Sequence, residues 1–201
     1  YYSSVIPINI GQNITFNQAN ISGTNEDTDT HSTTKQSADI RTNRNNVFVT
    51  VTGKSSGSSI SLAWTGTQFE VLGPELSEGR CYVDFSGWGK TEFAVRLGHQ
   101  AEYTVLGRVY DVTEGHLIGE VQLKNIYREG SFITHIAGGN FQGQIDNVTL
   151  KAGHTYIAGV TTNLAVKGDY VILDTGPQIS RVASNTNKCH TTWDEINIIW
   201  N

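Results

Sequence analysis

Methionine is absent from this chain of 201 residues, cysteine occurs only twice, and charged residues make up just 16%. Typical soluble domains carry roughly 25% charged residues, so this surface must be solvated largely by hydroxyls and amides, as is common in secreted β proteins. There is no basic run. The 14 Lys and Arg residues are scattered singly in a chain of net charge −5 and pI near 5.6, which excludes a phosphate-tracking stripe and, with it, nucleic acid as a partner. No apolar run approaches the ~18 residues of a membrane-spanning helix. Chains that stay disordered combine low hydrophobicity with high net charge. Here the net charge is small and 37% of the residues are apolar, enough for a core, so the chain is expected to fold.

The opening residues Tyr1-Tyr2-Ser3-Ser4 lack a charged leader and an apolar segment, and they read as a mature end left after signal-peptide removal. Cys81 and Cys189 belong to no C-x-x-C pair. In an exported protein they are expected to form one disulfide closing a loop of about 100 residues, worth ~4–5 kcal/mol at most; two buried free thiols are the alternative. Three glycosylation sequons begin at Asn13, Asn20 and Asn147 and agree with an extracellular or cell-surface location. In a chain so rich in Asn, Ser and Thr, several would arise by chance.

A sustained helical period is also missing. Alternation takes its place, the mark of strands with one buried face. Val47, Val49 and Val51 share a parity, as do Ile60, Leu62 and Trp64; Phe93, Val95 and Leu97; Tyr103, Val105 and Val109; Leu117, Val121 and Leu123; Tyr156, Ala158 and Val160; and Ile196, Ile198 and Trp200. Tyr170–Leu173 reads as a strand buried on both faces. Glycine-containing turn signals such as Gly73-Pro74, Glu114-Gly115, Gly138-Gly139 and Ala152-Gly153 separate these runs. Short strands at this spacing predict an all-β, antiparallel, jelly-roll-like β-sandwich in one domain.

The chain divides into a strand over residues 1–16, a polar surface excursion over 17–46 and a sandwich body over 47–201. In the first part Ile6, Ile8, Ile10, Ile14 and Phe16 fall on even positions, interrupted only by Gln12. That pattern describes an eleven-residue amphipathic strand of about 35 Å. Pro7 cannot donate to a ladder, which places the strand at or beside a sheet edge. Such a segment either completes its own sandwich or adds to the sheet of a neighbouring subunit.

Candidate chemistry is sparse. Gly53-Lys54-Ser55-Ser56-Gly57 matches G-x-S-x-G by letter, but strands are expected on both sides, where a nucleophile elbow needs a following helix. Glu26, Asp27 and Asp29 could offer oxygens to Ca²⁺, although no EF-hand spacing is present and a solvated acidic loop explains them equally. The six histidines make no zinc spacing motif; His116 and His154 each follow a turn glycine and are expected on the sandwich rim. Neither a cofactor nor an enzymatic activity is expected. Among the tryptophans, Trp64 and Trp200 share core parity, which leaves Trp88 and Trp193 as candidates for stacking on sugars. The leading expectation is therefore an extracellular structural or adhesive subunit that self-associates through its N-terminal strand. The alternative is a carbohydrate-binding, lectin-like sandwich with glycans as partners.

Overall fold

The computed structural model describes residues 4–28, 32–52, 58–95, 98–130, 134–168, 179–182 and 189–201, which form strands and turns with no helix among them. In the first sheet, β6 (Ser58–Leu72) pairs with β11 (Thr155–Gly168), β11 with β8 (His99–Asp111), and β8 with β9 (His116–Glu129), all antiparallel. The other edge of β6 receives two short strands in succession. β1 (Ile6–Asn9) lies parallel to Phe69–Leu72, and β3 (Ile21–Asp27) lies antiparallel to Ile60–Gly66. In the second sheet, β7 (Glu78–Ala94) runs between β10 (His135–Lys151) on one side and β13 (His190–Trp200) with β12 (Ile179–Val182) on the other. Beyond these lie β2 (Ile14–Phe16) and β5 (Arg44–Thr52), with β4 (Ser32–Asp39) outside β5. The chain is an antiparallel-rich, all-β sandwich, as its alternation predicts.

Side chains from the two inner faces interlock. The Phe85 ring of the second sheet fills the space over Gly107 of the first, where a Cβ would come within 2.7 Å of the ring. Several buried polar groups are paired across the layer. Asn45 donates to the Val160 carbonyl at 2.9 Å, and Tyr103 Oη lies 2.7 Å from Thr191 Oγ1. Val47, Val49, Val51, Phe93, Val95, Tyr103, Val105, Val109, Tyr156, Ala158, Val160, Ile196 and Ile198 are buried as their parity predicts. Tyr170–Leu173 and Leu97 lie outside the described residues.

The N-terminal segment is not one strand. Ile6 to Phe16 breaks at a turn in which Gly11 has φ +85° and Gln12 N–H donates to the Asn9 carbonyl at 3.1 Å. The chain thereby leaves the first sheet as β1 and enters the second as β2. The apolar parity survives the turn because both pieces face the same interior, with Ile8 and Phe16 buried and Ile6, Ile10 and Ile14 packed against the core. In this chain these side chains complete their own sandwich. Pro7 lies in an edge strand, as its missing donor requires. Residues 17–46, expected as a surface excursion, supply β3, β4 and the start of β5.

The expected disulfide is also corrected. Cys81 pairs in register with Trp200, at the opposite end of the β7–β13 ladder from Cys189, which precedes the His190–Lys90 pair. Nine or so residues of strand separate the two thiols, roughly 30 Å, far beyond the reach of an S–S bond. Both are buried and free, and burial pushes each thiol up to about 12.

Leu76 occupies a position that suits glycine better. In the Pro74–Ser77 turn, where Ser77 N–H donates to the Pro74 carbonyl at 3.0 Å, Leu76 has φ +61° and is 94% exposed. A non-glycine residue in this region costs ~1–2 kcal/mol, and glycine returns part of that gain through a freer unfolded chain. Leu76→Gly should raise stability by about 0.5–1 kcal/mol, read as a higher denaturant midpoint at unchanged slope. A lower midpoint would contradict this account.

Candidate functional site

The outward face of the first sheet carries an apolar trough that parity alone misplaces. On β6 the large residues Ile60, Leu62 and Trp64 point outward, while Ser59, Ser61, Ala63, Thr65 and Thr67 are buried. Small hydroxyl residues fit inside because β4 and β5 approach closely there. Ser61 Oγ donates to the Lys35 carbonyl at 2.7 Å, Ser32 and Ser59 hydroxyls touch, and Thr67 Oγ1 donates to the Gln18 carbonyl at 3.1 Å. The expectation that Trp64 is a core residue is thus reversed.

Across the sheet, Gly66, Gly159 and Arg108 stand in one row. The two glycines form a bare floor. A Cβ on Gly66 would lie 2.7 Å from the Ala158 carbonyl oxygen, and one on Gly159 would lie 2.9 Å from that of Thr65. On one side rises the row Trp64–Thr161–Leu106, and on the other Gln68–Ile157–Tyr110–Leu117. These rows are four residues apart along the strands, about 13 Å. The resulting groove of about 570 Å³ is lined by Trp64, Leu62, Tyr110, Leu117, Arg108 and Asn25, among others. That size and character suit a small-molecule or oligomer ligand.

Two contacts set the walls. The Trp64 indole lies over Gly23 of β3, where a Cβ would fall 2.8 Å from Cζ2. Arg108 Nε donates to Glu120 Oε2 at 2.7 Å, with both side chains 39% exposed. A surface pair of this kind adds ~1 kcal/mol or less to stability, but it holds the guanidinium by one edge and leaves the trough nearly neutral. The lining offers ring faces, aliphatic surface, a guanidinium, an amide and hydroxyls, with no carboxylate, imidazole or thiol among its described residues.

The residues singled out from sequence land elsewhere. Trp88 is on the outer face of the second sheet, 39% exposed, its ring centroid 5.2 Å from that of His190. Trp193, the other candidate for sugar stacking, is a core residue at 1% exposure, with Nε1 donating to Thr65 Oγ1 at 2.9 Å. Glu26 and Asp27 lie in β3. Glu26 accepts from Thr34 Oγ1 at 2.5 Å and Gln36 Nε2 at 3.1 Å, which hold its carboxyl below the usual range. Neither joins a set of three ligating side chains among the described residues; Asp29 and the Gly53–Gly57 segment lie outside those residues. Asn13 is exposed and accepts from Trp200 N–H at 2.9 Å, and Asn147 is exposed at φ +56°. Asn20 differs. Its side-chain nitrogen, where a glycan would attach, donates to the Ser4 and Gln68 carbonyls at 2.8 and 3.1 Å.

The trough residues that sequence reading missed carried a signal. Gly66 and Gly159 interrupt strand interiors, where glycine marks close approach of a ligand or another backbone. Gly66 also shares parity with Trp64.

No protein-family model matches the chain, and no curated protein matches its sequence. Solved structures show a distant likeness. TmCBM61 in complex with β-1,4-galactotriose is 11% identical at a TM-score of 0.25, over 90% of this chain and 88% of that one. A family 11 carbohydrate-binding module from Clostridium thermocellum, in complex with a β-1,3-1,4-mixed-linked tetrasaccharide, is 10% identical at 0.24, over 89% and 88%. A Bacillus thuringiensis Cry1Da tryptic core variant is 8% identical at 0.26, over 98% of this chain and 25% of that one. Likeness at such TM-scores carries no argument about function.

Proposed function

We propose that this chain is a carbohydrate-binding β-sandwich module without catalytic activity, which holds a stretch of uncharged polysaccharide in the trough of the first sheet. The observation that supports this reading is the pair of aromatic walls, Trp64 and Tyr110, beside the Gly66–Gly159 floor. A pyranose presents C–H groups on its flat faces and hydroxyls at its rim. Aromatic rings take the faces, and Arg108, Asn25 and Thr161 can meet the rim hydroxyls. The Arg108–Glu120 pair cancels the local charge, which favours a neutral sugar over a uronate. Such a module acts where polysaccharide is exposed, outside the cell. Burial of Ile8 and Phe16 within their own chain supports this reading over a strand-exchanged filament.

Affinity electrophoresis through gels containing soluble β-glucan, xylan, mannan, galactan or pectate tests the reading. At least one neutral polysaccharide should retard the protein. Trp64→Ala should weaken that binding about tenfold or more, equivalent to ~1.4 kcal/mol, with the unfolding midpoint little changed. Absence of retardation by every neutral polymer would overturn the proposal. So would full retention of binding by Trp64→Ala.

A further inference from the structure

At one end of the sandwich two tight turns meet, and five side chains that the trough does not use converge there. The hairpin between β8 and β9 supplies Asp111, Glu114 and His116; the turn between β10 and β11 supplies Lys151 and His154. Backbone bonds clamp the turns together. Val112 N–H donates to the Thr155 carbonyl at 2.8 Å, and Thr155 N–H to Thr113 Oγ1 at 2.9 Å. Asp111 is 2% exposed, with Oδ1 accepting from Glu114 N–H at 2.9 Å and Oδ2 lying 3.0 Å from His154 Nδ1. Burial opposes charge on this carboxyl, but the His154 and backbone hydrogen bonds outweigh it and hold the carboxyl below its usual range. Ligating atoms of Asp111, Glu114 and His154 all lie within 4.8 Å of one another. His116 Nδ1 stands 3.8 Å from Glu114 Oε2, on the carboxylate's other side from Lys151 Nζ, which is 3.3 Å from Oε1. A cleft of about 500 Å³, lined by His154, Glu75 and Glu78 among others, gives access.

We propose that this cluster is a binding site for a zinc-type transition-metal ion, held by His154 Nδ1, Asp111 Oδ2 and the Glu114 carboxylate, with His116 in reach as a fourth ligand. Mixed imidazole and carboxylate donors suit Zn²⁺ and its neighbours, whereas Ca²⁺ and Mg²⁺ take six or more oxygens, or octahedral oxygen and water, that this set does not supply. The buried Asp111 is anchored by an amide, so one ligand is oriented before the ion arrives. Binding replaces the His154–Asp111 hydrogen bond and releases Lys151, whose side chain is 47% exposed and can turn to water. The hairpin that would be clamped begins with the Tyr110–Leu117 pair, a wall of the trough, yet the site stands or falls independently of any glycan.

Calorimetric titration of the chelator-treated protein with Zn²⁺ alone tests this directly. Saturable uptake of one ion per chain is expected, with a raised unfolding midpoint and no comparable rise with Ca²⁺. Cys81 and Cys189 are buried and do not compete. His154→Ala and Glu114→Gln should each weaken uptake roughly tenfold or more. Glu114 is exposed, so Glu114→Gln keeps the test decisive if His154→Ala fails to fold. Lack of one-to-one uptake, or uptake undiminished in Glu114→Gln, would overturn the proposal.

Discussion

Trp193→Ala is expected to lower the unfolding free energy by about 3–5 kcal/mol, against a total near 5–15 kcal/mol for a domain. The indole reaches from β13 across the sandwich, is 1% exposed, and donates to Thr65 Oγ1 at 2.9 Å on the opposite sheet. Its backbone is tied as well. The N–H donates to the Asn43 carbonyl at 3.3 Å, and the carbonyl accepts from Asn43 Nδ2 at 3.2 Å. Alanine leaves a cavity that these fixed strands cannot close, and it removes the partner of a buried hydroxyl. Trp193→Phe keeps most of the volume and loses the hydrogen bond, so a loss of about 1–2 kcal/mol is expected. Urea denaturation measures both. Trp64→Ala, on the outer face, should change stability by less than about 1 kcal/mol. Equal losses for the two tryptophans would contradict the assignment of one to the core and the other to the trough.

Acid should destabilise the protein between pH 6.5 and about 4, and His190 should be the reason. Its side chain is 8% exposed, and burial, with Arg44 and Lys90 nearby, pushes the imidazole down to about 4. The unfolded chain takes up this proton near pH 6.5, while the folded chain resists it. Stability associated with the neutral ring is therefore fully present above pH 6.5, and is lost progressively as pH falls toward 4. The loss is on the order of 2–3 kcal/mol. A second acid-sensitive group lies lower. Asp111, held below its usual range, adds a further loss that begins as the unfolded carboxyl protonates near pH 3.8 and is complete once the folded carboxyl protonates. His190→Gln should flatten the unfolding midpoint across the upper window and leave the lower one intact. Identical pH profiles for the two proteins would refute the assignment.

Alternation made much of the architecture legible, because successive Cβ atoms on a strand point to opposite faces and this is a local property. It identified the buried sets on β5, β7, β8, β11 and β13 correctly. On β6 it named the wrong face, and on β9 it grouped the exposed Leu117 with Val121 and Leu123, which pack against the core, because the β8–β9 register shifts between them. Which parity turns inward depends on what the opposite layer offers, and β4 and β5 approach β6 so closely that Ser59, Ser61 and Ala63 fit where Leu62 and Trp64 cannot. Ile6 to Phe16 kept one parity through a change of sheet, since both sheets bury their side chains in the same interior; only the Gly11 turn divides it.

By itself, then, the sequence determined an all-β sandwich, the turns at Gly73-Pro74, Glu114-Gly115 and Ala152-Gly153, most of its core faces, and the scatter of its basic residues, whereas Gly138-Gly139, read as a turn, lies inside β10. Tertiary structure decided the rest. Strand pairing set Cys81 and Cys189 at opposite ends of one ladder. It gathered Gly23, Trp64, Gly159, Arg108 and Tyr110 from four strands into a trough, and brought His154 together with Asp111 and Glu114, with His116 beside Glu114. These are contacts between residues distant in the chain. They follow from which strands are neighbours and in what register, and a period of two along any single strand carries no information about that.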